Sequence, residues 1–289
     1  LYRRAKSSGQ YRRSVVNSQN GLRWKPMVDK VTIGNVEISV VLDAAPPPFD
    51  PSQFFPGITA ESWSPYKKDH LDADGKFQTN FCAWVLHSHG QIVLVDTGLG
   101  TGKLLENLQS AGVTAEQVNF VVITHLHGDH IGWNINDGKP TFPNASYLIP
   151  SKDWDHFTKG EISGSLAENV LPLESLGIMN LIDNDHAVTP EITTLSTPGH
   201  TPGHISVLIN SGGQKACVVG DLFHGSVQVT ETDWNAGADL DKDLARQTRN
   251  TVLDRLELDG YTVAAGHLPI GKNIGKLARL DGRRYWQAL

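Results

Sequence analysis

The stretch Thr124-His125-Leu126-His127-Gly128-Asp129-His130 sets three imidazoles and one carboxylate within six positions. Imidazole nitrogen and carboxylate oxygen at this density suit zinc, iron, manganese or cobalt. The alternative, a polar turn with incidental histidines, accounts poorly for four such groups side by side. The motif follows Val118-Asn119-Phe120-Val121-Val122-Ile123, a short run rich in β-branched residues that reads as a buried strand. Polar groups at the end of a buried strand are costly unless they find partners. Other titratable groups follow the same rule. Asp96, His200, Asp221 and His267 each come just after an apolar, strand-like run. Side chains at strand ends are held rigidly while reaching open space, which suits a metal site.

The elements that must position these groups can be read along the chain. Val31–Ile33 and Val36–Leu42 flank Gly34-Asn35, a hairpin signal. Pro46-Pro47-Pro48 then ends any strand. From Phe49 to Asp74 the chain is loop-like yet rich in large apolar groups (Phe49, Phe54, Phe55, Trp63, Tyr66), which either roof a pocket or pack the loop onto the body. Asp72-Ala73-Asp74-Gly75 reads as a turn. A second hairpin joins Phe81–Leu86 to Ile92–Val95 through His87-Ser88-His89-Gly90, whose histidines sit at an exposed tip. Asp96 is either a turn cap or a partner behind a metal ligand. A helix is predicted near Lys103–Ala111, a strand at Ala145–Ile149 and a short helix at Lys152–Lys159 with Ser151 as its cap. Strands at Ile192–Leu195, Ile205–Ile209 and Ala216–Val219 follow. Asp239 or Asp241 caps a helix running to about Leu258, and Tyr261–Ala265 is a last strand before Gly266-His267.

Length and composition bound the reading. The 289 residues allow one large domain or two small ones. With no linker or repeat after residue 26, a single domain over 27–289 is expected, preceded by a loose basic arm over 1–26. The formal charge is −6, yet residues 1–30 hold eight Lys/Arg against Asp29 alone, so +7 sits there and −13 on the remainder. That balance argues against nucleic acid as a partner. No apolar run reaches eighteen residues, so no membrane span is expected. The amino end lacks the apolar middle of a secretory signal and an initiator Met, which leaves cytoplasmic residence and export after leader removal both open. Cys82 and Cys217 lie in apolar runs and read as buried free thiols, one disulfide being the alternative.

Taken together, Asp96-Thr97-Gly98, His125-Leu126-His127-Gly128-Asp129-His130, Pro198-Gly199-His200-Thr201, Gly220-Asp221 and Gly266-His267 resemble the ordered motifs of the metallo-β-lactamase superfamily. The resemblance covers most of residues 30–285. It implies an α/β fold, a four-layer αβ/βα sandwich of two mixed sheets with helices on the outer faces. It also implies two divalent ions, zinc foremost, with manganese, cobalt or iron as alternatives. His125, His127 and His200 would hold one; Asp129, His130 and His267 the other; Asp221 would bridge them. His204 and Asp96 would stand behind the ligands.

Within the superfamily the chain looks most like the lactonase and methyl parathion hydrolase group. The reaction so implied is attack by a metal-bridging hydroxide on a lactone or aryl-ester carbonyl, with organophosphate triesters as promiscuous substrates. Asp129, Asp221 and His224 would be catalytic, and Trp133, Phe223, His224 and Leu268 would meet the substrate. The chain departs from the family pattern in three respects. Homoserine-lactone lactonases usually carry a Tyr three residues after the bridging Asp, where this chain has His224, which argues against homoserine lactones as the natural substrate. Many relatives have Gly-Gly after the His motif, where it has Gly132-Trp133, and the basic arm is not part of the motif set. A small, neutral, partly apolar substrate is expected, because no cluster of guanidinium groups marks an anionic phosphate. A homodimer is compatible with the sequence. A thioesterase of the glyoxalase II type and a di-iron redox protein are the competing readings of the same resemblance.

Overall fold

A computed structural model describes residues 30–289; the basic arm expected over 1–26 lies outside the described residues. Strands β1 (Lys30–Ile33) and β2 (Val36–Ala44) form the first hairpin, and β3 (Phe81–Ser88) and β4 (Gln91–Val95) the second. Between them run two single-turn helices, α1 (Ala60–Trp63) and α2 (Lys67–His70). Helix α3 (Leu104–Ser110) leads to β5 (Phe120–Val122), then to the short α4 (Gly128–Ile131). A small ribbon, β6 (Ile135–Asn136) with β7 (Lys139–Pro140), precedes β8 (Ser146–Pro150). Helices α5 (Ser151–Phe157), α6 (Gly164–Asn169) and α7 (Leu171–Ser175) lead to β9 (Met179–Ile182). The second half holds β10 (Ala187–Thr189), β11 (Ile192–Ser196), β12 (Ile205–Ser211) and β13 (Gln214–Val218). Helix α8 (Lys242–Leu258) follows, then β14 (Thr262–Ala264), β15 (Ile274–Leu280) and β16 (Arg283–Ala288).

The strands form two seven-stranded sheets, ordered β1-β2-β3-β4-β5-β8-β9 and β10-β11-β12-β13-β14-β15-β16. Both are mixed. β4, β5, β8 and β9 run parallel, as do β13 and β14; the other neighbours are antiparallel. Strand periodicity decides which side chain goes where. In β3, Cys82, Trp84 and Leu86 face the second sheet, while Ala83 and Val85 face outward under α3. In β12 and β13, Ile205, Val207, Ile209, Ala216 and Val218 face the first sheet, while Leu208 and Cys217 face outward with Val252, Leu253 and Leu256 of α8. Helices, sheet, sheet and helices therefore stack as four layers, the architecture expected. Cys82 and Cys217 point into different layers, and both are free and buried.

The aromatic loop does both things the sequence allowed. Phe55, Trp63, Tyr66 and Phe77 pack with Val227 and Trp234 into a separate cluster that fixes the loop on the body. Phe54 is only half-buried and turns toward the imidazoles described below. The Asp72 turn also forms, its carboxylate accepting from the Asp74 and Lys76 amides at 3.0 and 2.8 Å. One predicted cap differs. Ser151 does not cap α5; its hydroxyl donates to Asp183 instead.

Candidate metal centre

The parallel pairs deliver the site. β4 leads into Asp96, β5 into His125, β13 into Asp221 and β14 into His267, all at one edge of the sandwich. The antiparallel β12 begins at that edge, which brings in His200 and His204 from the preceding turn.

Three imidazoles form one donor set. His127 Nδ1 lies 3.1 Å from His125 Nε2 and 2.9 Å from His200 Nε2. Asp129, His130, Asp221 and His267 form a second set, and His200, Asp221 and His224 a third that overlaps both. Asp221 joins them. Its Oδ2 is 3.7 Å from His125 Nε2 and 3.3 Å from His200 Nε2, whereas its Oδ1 is 3.2 Å from both His130 Nε2 and His267 Nε2. Asp129 lies 3.7 Å from His130 and 3.5 Å from His267.

Three of the candidate ligands, His125, His130 and His200, are aimed by a hydrogen bond from behind, the arrangement that orients metal-binding imidazoles. Asp96 adopts a left-handed backbone (φ 61°), a conformation aspartate tolerates better than most residues. Its carboxylate accepts from the Thr124 amide at 2.7 Å, the Thr124 hydroxyl at 2.8 Å and His130 Nδ1 at 2.8 Å. The Thr124 hydroxyl, having spent its proton on Asp96, accepts from His125 Nδ1 at 3.1 Å. These bonds leave Nε2 of both His125 and His130 bare toward the centre. His204 donates from Nδ1 to the Thr197 carbonyl (3.0 Å) and accepts the Asp221 amide proton at Nε2 (2.9 Å). It therefore holds the backbone of Asp221 rather than a metal. Gly220 (φ 55°) is required there, because a Cβ would lie 2.7 Å from His204 Nε2. Gly199 is required for a similar reason: its turn packs so close to α8 that a Cβ would lie 2.3 Å from the Ala245 nitrogen.

Two supports had little sequence signal. Asp153, fully buried on α5, accepts from the Leu126 amide (3.0 Å), the Thr201 hydroxyl (2.8 Å) and the Gly203 amide (2.5 Å). It ties the His125–His127 turn to the His200 turn. Asp239 accepts from His200 Nδ1 at 2.9 Å. The sequence offers Asp239 and Asp241 equally as helix caps; Asp241 caps α8 by accepting from the Leu244 amide, which leaves Asp239 free.

The donor set fits metal. His130 Nε2, Asp221 Oδ1 and His267 Nδ1 are buried without a hydrogen-bond partner, as are both nitrogens of His224. Buried polar atoms left bare in this number point to a ligand. Electrostatics agree. Burial, then the neighbouring imidazoles, keeps His125 well below its usual range and holds His127 down at about 4, so both are neutral and able to bind metal. Burial opposes charge on Asp221, but His267, His130 and His224 outweigh it and hold the carboxyl well below the ordinary value. Burial also opposes charge on His130 and His267, and there the carboxylates win, Asp221 foremost, raising both.

The residues expected to meet substrate divide. His224 is at the centre, with Nε2 3.1 Å from Asp221 Oδ2 and its ring stacked on His267 at 5.4 Å. Trp133 packs with the outer layer of the first sheet and donates its indole N–H to Asp43 at 2.8 Å. Phe223 and Leu268 are fully buried in the layer beneath α8, Phe223 against Trp286. Other apolar groups face the imidazoles: Phe54 lies 5.5 Å from the His224 ring and 6.0 Å from that of His267, and Phe157 lies 5.9 Å from that of His127. Phe81 meets His267 edge-on at 5.5 Å.

A layered α/β sandwich with a His-and-Asp cluster at one sheet edge defines a metal-dependent hydrolase class, and the sequence assigns it. Residues 80–267 match the metallo-beta-lactamase superfamily, and the chain belongs to it. The Bacillus subtilis (strain 168) protein YobT is 24% identical over 219 residues, which cover 71% of this chain and 88% of YobT. An N-acyl homoserine lactonase from a Bacillus species is 31% identical over 109 residues, 38% of this chain and 40% of the lactonase. Among solved structures, hydrolase AbOPH of the beta-lactamase superfamily superposes with a TM-score of 0.82 at 24% identity, covering 91% of this chain and 97% of AbOPH. The dizinc quorum-quenching lactonase AidC, in complex with a product, gives 0.79 at 24% identity over the same shares. At these identities the structural likeness shows the fold. Among the described residues no helix is long and apolar enough to cross a membrane.

Proposed function

We propose that the chain is a dinuclear metal-dependent hydrolase of lactones and aryl esters, loaded with zinc, that also cleaves neutral organophosphate triesters slowly. One observation carries the reading: the two oxygens of Asp221 face two different donor sets. His125, His127 and His200 would hold one ion; Asp129, His130 and His267 the other. Bound divalent ions supply a water acidic enough to ionise near neutral pH and polarise a carbonyl or phosphoryl oxygen. The chain's own groups do the rest. Asp129, which is only partly buried and meets His130 and His267 through one oxygen, can take a proton on the other as the substrate bond breaks. His224 offers a nitrogen without a protein partner, available to hydrogen-bond the substrate or its leaving oxygen. Phe54 and Phe81 form an apolar wall on the His267 side, which suits an acyl chain or an aryl group and excludes water there. Lactone hydrolysis is also what AidC and the Bacillus lactonases are named for.

The test is a panel of lactones, aryl esters, thioesters and phosphotriesters, assayed with zinc, manganese, cobalt and iron. Lactones or aryl esters should turn over fastest. Thioesters leading the panel would move the protein to the glyoxalase II type of activity. Asp221→Ala should lose metal and all turnover; retained full activity would end the bridging assignment. His224→Phe should lower turnover with metal content unchanged. A fall in metal content would make His224 a ligand instead, through the group it forms with His200 and Asp221.

A further inference from the structure

Behind His200 the structure holds a buried charge pair for which the ligand set alone gives no reason. Asp239 is 5% exposed and Arg249 not exposed at all. Removing both charges from water is costly, and an ion pair alone rarely compensates. The pair is also loose: Arg249 Nη1 lies 3.9 Å from Asp239 Oδ2. Each partner has other bonds. Asp239 Oδ1 accepts from His200 Nδ1 at 2.9 Å, and its Oδ2 from the Ala236 amide at 3.0 Å. Arg249 donates from Nε to the Thr232 carbonyl at 3.2 Å and from Nη2 to Asn235 Oδ1 at 2.8 Å. The arginine therefore pins the segment that carries Asp239, and Asp239 pins the imidazole. That segment also carries Trp234 into the aromatic cluster beneath the Phe54 loop.

The two donor sets are built alike in this respect. Asp96 stands behind His130 in one, and Asp239 stands behind His200 in the other. His125, by contrast, has only the Thr124 hydroxyl behind it. A carboxylate behind an imidazole fixes which nitrogen carries the proton, aims the other and raises its basicity; losing one typically costs tenfold to a hundredfold in metal affinity.

We propose that Asp239 and Arg249 are positioning residues that orient His200 and set the affinity of the His125–His127–His200 half of the centre. The inference rests on the metal reading given above. The experiment removes zinc in two steps with a chromophoric chelator, for the wild type, Asp239→Asn and Arg249→Met. It is repeated in a His267→Gln background, which disables the other half. Asp239→Asn should weaken one equivalent by roughly tenfold to a hundredfold and leave the other unchanged. The loss should persist with His267→Gln. Arg249→Met should weaken the same equivalent by less. Cobalt-loaded Asp239→Asn should show a shifted visible band, which mere loosening of the fold would not give. If Asp239→Asn does not fold, Arg249→Met decides alone. Equal weakening of both equivalents, or none, overturns this assignment and leaves the metal reading standing. A wild type that binds no zinc overturns both.

Discussion

Gly220→Ala probes whether the backbone at Asp221 is as tightly constrained as the geometry says. Gly220 has φ 55°, and an added Cβ would lie 2.7 Å from His204 Nε2 and 3.1 Å from Thr124 Cβ. The left-handed backbone costs an alanine about 1–2 kcal/mol. The contact adds about 1–3 kcal/mol of overpacking. It is not easily relieved. His204 is fully buried and fixed at Thr197, and the nitrogen in the way is the one that accepts the Asp221 amide proton. Backing the ring off would strand that buried amide. A total of about 2–5 kcal/mol follows, a large part of the roughly 5–15 kcal/mol that holds a domain folded. Urea unfolding of the metal-free protein should show the unfolding free energy fall by that amount, through a lower midpoint with the slope unchanged. Gly138→Ala is the control: it shares the positive φ (71°) but has nothing within 4 Å. It should lose only the backbone part, about 1–2 kcal/mol. Zinc content should fall in Gly220→Ala alone, because Asp221 is displaced. If the two variants lose the same stability and both keep full metal, the packing argument for Asp221 fails.

Other predictions follow from the same contacts. Asp153→Ala removes the acceptor for two buried amides and a hydroxyl; the cost should be about 2–4 kcal/mol in urea unfolding, reduced because the buried carboxylate is itself expensive. An effect under about 0.5 kcal/mol, typical of an ordinary surface site, would show that the clasp is dispensable. Glu257 on α8 accepts from Arg279 at 2.7 Å and Arg284 at 2.8 Å, and these arginines hold its carboxyl at about 2 against an ordinary 4.5. A depressed acid stabilises above its unfolded value, so this contribution should be complete above pH 4.5 and vanish as pH falls toward about 2. Glu257→Gln should therefore be less stable than the wild type at pH 7 and converge with it in acid; a constant gap would refute the linkage. Finally, His130 and His267 are raised by the surrounding carboxylates, so below their folded values they carry protons that metal must displace. Zinc binding should release protons in weakly buffered solution, and affinity should climb with pH until both are neutral. Titration calorimetry in buffers of different ionisation enthalpy reads this directly, and an enthalpy independent of buffer would count against it.

The candidate ligands that the structure brings together were legible in the sequence because most follow a local pattern: a short β-branched run, then a polar residue where the run ends. His125, His200, Asp221 and His267 all announce themselves this way. What stands behind them does not. Asp153 and Asp239 lie on a helix and in a loop, among ordinary acids, and only the tertiary fold brings them 27 and 39 residues along the chain to the turns they hold. The wall misled for a related reason. Phe223 and Leu268 adjoin metal-bearing turns, but strand alternation sends their side chains into the layer beneath α8. Phe54 arrives from a loop more than a hundred residues away in sequence from His224. The hairpin of β15 and β16 went unread although its turn was visible: Asp281 and Gly282 both have positive φ, at 49° and 78°, and Asp-Gly is a strong hairpin signal. Mixed polar and apolar residues along both strands hid the alternation around it.

The arrangement explains why both sheets are needed for one centre. A parallel pair releases its two chains at the same edge, so neighbouring strand ends can present ligands side by side without a long loop. β4 and β5 do this in one sheet, supplying Asp96 and the His125–His130 turn; β13 and β14 do it in the other, supplying Asp221 and His267. Neither sheet alone completes a donor set. His125 and His127 come from the first half and His200 from the second; Asp129 and His130 come from the first and His267 from the second. The spacing between the halves is set by the core of Trp84, Leu86, Val207 and Val218, and the turns are locked across the seam by Asp153 from one side and by Thr79 from the same side onto the His267 carbonyl at 3.1 Å. Relative movement of the sheets would therefore open both donor sets at once, since Asp221 faces both. Rigid packing between the sheets, and the buried bonds that clasp the turns, therefore fix the spacing of the seven groups of the candidate metal centre.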